Sequence, residues 1–164
     1  MPTLQEAMQD YKAQLQAGVI QSAYRGLMEY MMDLRTHLMK KYPEDVVTNL
    51  YQGYMDMTYF AFMPQSLKER GLKVAVVFLY EDFRFEVNLV GYNKQFQKKY
   101  WQLIRESGWD KYRLVKTLKG EDAIISHTLV EDPDFGDLDA LTEHIEGGTL
   151  TFIADVEDFL ASAS

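Results

Sequence analysis

Arg84, Glu86 and Asn88 occupy alternate positions in Phe83-Arg84-Phe85-Glu86-Val87-Asn88-Leu89. On an extended strand such residues project from one face, while Phe83, Phe85, Val87 and Leu89 project from the other. A guanidinium, a carboxylate and a carboxamide in a row can both donate and accept, which is the equipment for holding a polar small molecule. Asp56 falls with Tyr54 and Thr58 on one face of a preceding strand and adjoins the set if the two strands are neighbours. Asp56 and Glu86 would then offer oxygen ligands to a divalent cation. The plainer expectation is an ion pair between Arg84 and a carboxylate on a solvated sheet face.

A second constellation is Gly91-Tyr92-Asn93-Lys94. A glycine turn opening a helix exposes backbone donors at the positive end of the helix dipole, and Lys94 adds charge, so a phosphate or carboxylate could sit there. The same residues equally make an ordinary strand-to-helix turn with Asn93 as cap. Tyr51, Tyr54, Tyr59, Tyr100, Trp101 and Trp109 offer aromatic walls; at helical spacing, Phe96, Tyr100, Leu103 and Ile104 read first as core. Met28, Met31, Met32 and Met39 could line a groove for a partner, or fill the core. His37, His127 and His144 lie far apart and have no metal-ligand spacing. His127, on a strand beside Ser126, is the best general-base candidate among them, but no glycine-flanked elbow makes that pair a triad signature. There is no Walker A loop and no dinucleotide fingerprint, so no cofactor is expected.

The elements that must position these residues follow from periodicity. Thr3-Leu4-Gln5-Glu6 has the spacing of a capping box. Leu4, Ala7, Met8, Tyr11 and Leu15 then mark a helix ended by Gly18. A second helix runs from about Gln21 to Lys41, and residues 44–52, after Pro43, are expected to form a short third. Strands follow at 54–62, at Leu72–Tyr80 and, after a tight turn at Glu81-Asp82, at Phe83–Val90. Asn93 caps a helix through Glu106, with Gly108 beyond its end. Two further strands are expected at 112–118 and 123–130, then a loop at 132–137. A helical tail over 138–161 should break or kink at Gly147-Gly148. The order predicts an α+β fold: N-terminal helices, a mostly antiparallel or mixed sheet of about five strands with helices packed on it, and a C-terminal helix.

At 164 residues, the chain is expected to form a single domain over 1–164. It has no cysteine, which excludes disulfides, thiolate zinc sites and cysteine nucleophiles. The apolar runs are too short to span a bilayer, and Met1-Pro2-Thr3-Leu4-Gln5-Glu6 lacks the basic and apolar regions of a signal peptide, so a cytoplasmic location is expected. A net charge of -8 argues against nucleic acid as partner. The charge is divided: residues 121–164 carry 12 acids and no Lys or Arg, whereas 94–119 carry eight bases against Glu106 and Asp110. The two segments either pack side by side or form separate wet faces.

Several stretches together resemble an uncharacterised family of small bacterial proteins, a domain of unknown function: Tyr24-Arg25-Gly26-Leu27-Met28-Glu29-Tyr30, Tyr51-Gln52-Gly53-Tyr54-Met55-Asp56-Met57-Thr58-Tyr59-Phe60, Phe83-Arg84-Phe85-Glu86-Val87, Gly91-Tyr92-Asn93-Lys94, Lys99-Tyr100-Trp101 and Asp132-Pro133-Asp134-Phe135. The resemblance covers nearly the whole chain and implies no particular activity. A looser architectural likeness is to the PD-(D/E)xK nuclease superfamily, with Glu86 near an acidic-ligand position. The chain departs from it in carrying Asn88 where that motif has lysine, and no aspartate opens the strand at Leu72. The reading is therefore a non-enzymatic small-molecule-binding or protein-interaction domain using Tyr54, Asp56, Arg84, Glu86, Asn88, Asn93 and Lys94. The alternative is a metal-dependent phosphoester or nucleic-acid hydrolase, and a homodimer built on the hairpin edge or the Met-rich helix is a further possibility.

Overall fold

The computed structural model describes residues 1–163. Its elements are α1 (Leu4–Ala17), α2 (Val19–Lys41), β1 (Val46–Val47), β2 (Met57–Met63), α3 (Gln65–Lys68), β3 (Leu72–Leu79), β4 (Arg84–Gly91), α4 (Lys94–Ser107), β5 (Arg113–Leu114), β6 (Ala123–Glu131) and α5 (Leu138–Ala163). The fold is α+β. The six strands form one sheet in the order β1-β2-β3-β4-β6-β5, and every pair is antiparallel.

Local chemistry places the boundaries. The Thr3 side chain accepts from Glu6 N at 3.2 Å, closing the N-terminus of α1, and Gly18 ends it in the left-handed region at φ 79. Asn93 caps α4 by accepting from Phe96 N, and Gly108 ends it at φ 76. The short third helix expected at 44–52 does not form. Val46, Val47 and Thr48 are β-branched and join the edge of β2, where Thr48 Oγ1 accepts from Ala61 N at 2.8 Å. Pro64 instead opens the single turn of α3. The strand expected over 112–118 shrinks to β5, and the Gly147-Gly148 break is absent, because α5 runs through it. A Cβ on Gly148 would lie 2.7 Å from Leu129 Cδ2. That glycine therefore lets α5 approach β6 closely rather than ending the helix.

The core lies between one face of the sheet and the pair α2 and α5. Phe60, Phe62, Val74, Val76, Phe78, Phe85, Val87 and Leu89 are buried there against Tyr30, Met31, Leu34 and Leu38 of α2 and Ile145, Phe152 and Val156 of α5. Met31 is fully buried while Met32 and Met39 are exposed, so the methionines of α2 divide between core and surface rather than lining a groove. Among the described residues, no helix is long and apolar enough to cross a membrane. The basic and acidic segments do meet: Lys94 lies 3.6 Å from Asp122, and Lys111 lies 3.2 Å from Asp155.

Candidate functional site

β4 positions the central side chains. Phe85 packs edge-on against Tyr30 of α2, whose hydroxyl reaches Thr142 of α5 at 3.0 Å. The Phe85 face therefore belongs to the helices, and strand alternation turns Arg84, Glu86 and Asn88 to the opposite face. Cross-strand register extends that second face. Leu79, Val77 and Ala75 stand opposite Arg84, Glu86 and Asn88. Met57, Tyr59 and Ala61 follow on β2. On the other side Thr128 and Ser126 stand opposite Glu86 and Asn88, and Arg113 opposite Ser126. Small residues floor the face and longer ones rim it, leaving a concave cleft of about 600 Å³.

The electrostatics are those of a crowded polar surface. Arg84 Nη2 donates to Glu86 Oε1 at 3.2 Å and lies 3.9 Å from Asp82 Oδ2. Glu86 is only 6% exposed. Arg113 donates from Nε and Nη2 to Ser126 Oγ at 3.1 and 2.8 Å. Two atoms are left over: Arg84 Nε and Asn88 Oδ1 are buried and have no hydrogen-bond partner. An unsatisfied buried donor or acceptor costs about 1–3 kcal/mol, so each is a charge on stability that needs a reason. The expected ion pair exists, but α5 lies on the far side of the sheet and does not cover it.

The second constellation borders the same cleft. Gly91, Tyr92, Asn93 and Lys94 line it together with Gln97 and residues 120–123. Gln97 Nε2 donates to Glu121 O at 2.9 Å and to Ala123 O at 3.1 Å, and Lys94 Nζ donates to Glu121 O at 2.5 Å. These bonds hold the loop before β6 along the rim. The Tyr59 hydroxyl is pushed above its ordinary pKa, first by burial and then by the negative charge of Asp122. The turn depends on Gly91, since a Cβ there would stand 2.4 Å from Gln97 N and 2.8 Å from Gln97 Cα. Backbone atoms cannot swing aside as a side chain can. Gly91→Ala is accordingly expected to cost about 1–3 kcal/mol in urea denaturation.

Asp56 and Tyr54 do not join this set. Both precede β2 rather than lying on it, and the Asp56 carboxylate accepts from Tyr54 N at 2.8 Å within their own turn. That bond, then a second from Met57 N, holds the Asp56 carboxyl below its ordinary pKa. Thr58 is fully buried and its Oγ1 donates to Gln52 O at 2.6 Å. The pairing of Asp56 with Glu86 that a shared cation needs is therefore not made, because Asp56 is not among the residues lining the cleft. Among the described residues, no group of three or more His, Asp or Glu is placed to hold a metal ion. Ser126 and His127, neighbours on β6, face opposite sides: Ser126 takes Arg113, and the His127 ring lies 5.0 Å from that of Tyr112.

Sequence reasoning missed Lys73, Asp82 and Arg113 at the cleft. Lys73 was legible, since it shares strand parity with Ala75 and Val77. Arg113 was not, because only the pairing of β5 with β6 sets it beside Ser126, the cross-strand neighbour of Asn88.

Residues 4–160 match the family described as a domain of unknown function (DUF7000), as the residue resemblance implied, and the chain belongs to that family. No curated protein and no solved structure matches it.

Proposed function

We propose that this DUF7000 domain is a non-enzymatic binding domain whose ligand, a small polar molecule, sits in the concave cleft on the face of β2, β3 and β4 turned away from α2 and α5. The observation that carries this reading is the pair of orphaned atoms, Arg84 Nε and Asn88 Oδ1, buried in the cleft without partners. One donates and the other accepts. Both atoms are closed to solvent, so a ligand that satisfies them turns the Arg84 and Asn88 side chains toward the cleft, with an acceptor or anionic group meeting Arg84 and a donor or cationic group meeting Asn88 and Glu86. A zwitterion such as a free amino acid has that pattern. Tyr59 forms an aromatic wall, and Asn93 and Lys94 stand at the rim.

The test is a thermal-shift panel of free amino acids, dicarboxylates and polyamines on the wild-type chain and on a variant with alanine at both Arg84 and Glu86. Zwitterions should raise the wild-type melting temperature with the logarithm of ligand concentration above Kd, reaching about 2.7 kcal/mol of stabilisation at a hundredfold excess over Kd. The double variant should show no shift. If a shift persists in that variant, the ligand binds elsewhere.

Asn88→Ala separates binding from stability. Removing an unsatisfied carboxamide should leave the free protein as stable as wild type, or up to about 1 kcal/mol more stable, in urea titration. The same substitution should weaken ligand binding at least tenfold by calorimetry.

A further inference from the structure

The polar cleft holds two cations that its own carboxylates do not match. Arg84 lies 3.2 Å from Glu86 and 3.9 Å from Asp82, and Lys94 lies 3.6 Å from Asp122. Lys73 and Arg113 also line the cleft, and among the described residues neither forms an ion pair. Lys73 is half-buried on β3. Arg113 directs Nε and Nη2 to the neutral Ser126 Oγ, which leaves its charge uncompensated. The remaining lining carboxylate, Glu121, belongs to an exposed residue whose backbone oxygen takes Lys94 and Gln97. A cation partly withdrawn from water favours an anionic partner.

Strand register fixes where these two cations stand. Asn88 is opposite Ala75 on β3 and Ser126 on β6. Lys73 precedes Ala75 by two residues, so it stands diagonal to Asn88 on one flank. Arg113, opposite Ser126, stands on the other. Along β4 the sequence of sites is therefore Arg84, then Glu86 with Asn88, then the flanking Lys73 and Arg113. In ligand groups that order is anion, cation, anion.

We propose that the ligand of this cleft is an acidic amino acid, an α-amino dicarboxylate of the glutamate or aspartate kind, whose side-chain carboxylate meets Lys73 and Arg113. The inference rests on the zwitterion reading of the same cleft, which places the α-carboxylate at Arg84 and the α-ammonium at Glu86 and Asn88. A neutral amino acid offers nothing to the third position. A polyamine meets Lys73 and Arg113 with like charge. A dicarboxylate without the amine leaves Asn88 Oδ1 and Glu86 with no donor. The acidic amino acid supplies all three groups in the required order, and each bond it makes to Lys or Arg is charge-assisted.

Calorimetric titration of the full chain at fixed ionic strength tests it. The ligands are L-glutamate and L-aspartate, their carboxamides L-glutamine and L-asparagine, and the amine-free diacids glutarate and succinate. Acid and amide share a shape and differ by one charge. At least one acid should bind about tenfold or more tightly than both its amide and its diacid. Lys73→Gln and Arg113→Gln should each lower the acid-over-amide ratio by about threefold or more, and together bring it close to one. Lys73→Arg, which keeps the charge, should retain the preference, so the two Lys73 variants carry the test if Arg113→Gln impairs folding. Acid and amide binding alike in wild type would overturn the assignment of the third position and leave the zwitterion reading standing. A preference that survives loss of both cations would do the same. If none of these amino acids binds, or if a diacid binds as tightly as its amino counterpart, the acidic-ligand assignment and the zwitterion reading fall together.

Discussion

Phe85→Ala is expected to destabilise the protein by about 3–5 kcal/mol, whereas Asn88→Ala, three residues further along the same strand, should cost nothing. Phe85 is fully buried and its ring lies between 5.0 and 6.2 Å from those of Phe78, Tyr30 and Phe135. Its loss opens a cavity lined by three rigid rings that cannot collapse to fill it. Asn88 projects from the other side of β4, where nothing in the chain satisfies its carbonyl oxygen. The contrast in urea midpoint between these two positions measures directly which face holds the fold together and which is given to something else.

The second large effect concerns Glu146, a buried carboxylate in the first half of α5. His37 Nε2 lies 2.7 Å from its Oε1, Lys41 Nζ 2.7 Å from its Oε2, and the Tyr42 hydroxyl donates to that oxygen at 2.6 Å. Burial alone would raise the carboxyl pKa. The donors from Lys41, Tyr42 and His37, with the charge of Lys41, outweigh it and bring the value down to about 2. In the unfolded chain a glutamate titrates near pH 4.3. The folded value is the lower one, so this stabilisation is complete above about pH 4.3 and is lost as the pH falls from there through 2. Glu146→Ala should cost about 2–4 kcal/mol at neutral pH, since it leaves the Tyr42 hydroxyl without its acceptor and unties α5 from α2. Urea titrations between pH 5 and pH 2 should show wild-type stability falling more steeply than that of the variant. Parallel curves would mean that Glu146 contributes packing and no charge.

Most of the fold was written in local chemistry. Caps at Thr3 and Asn93, glycines at 18 and 108, and the alternation through 83–89 placed α1, α4 and β4 within a residue or two. The errors arose where tertiary contacts decide. Residues 44–52 are short enough to go either way, and their fate was set by an open edge on β2. The double glycine in α5 looked like a break because the close approach to Leu129 that Gly148 permits involves a residue on another element. The site divides in the same manner. Arg84, Glu86 and Asn88 share a face by strand parity alone, and that much was readable. That Gly91 to Lys94 borders the same cleft, and that Asp56 turns away into its own loop, depends on how β2, β4 and α4 are assembled.

The most direct test of the cleft as a ligand site is the Nε–H resonance of Arg84 in a ¹⁵N-correlated NMR spectrum, followed as a free amino acid is titrated into the protein. Arg113 Nε, bonded to Ser126 Oγ at 3.1 Å, provides the internal control of a donor already satisfied. The account predicts a saturable downfield movement of the Arg84 signal, and a much smaller one at Arg113, as the orphaned donor acquires an acceptor. An Arg84 signal that stays in place under every zwitterion, or that moves no further than under an equal concentration of sodium chloride, would contradict it.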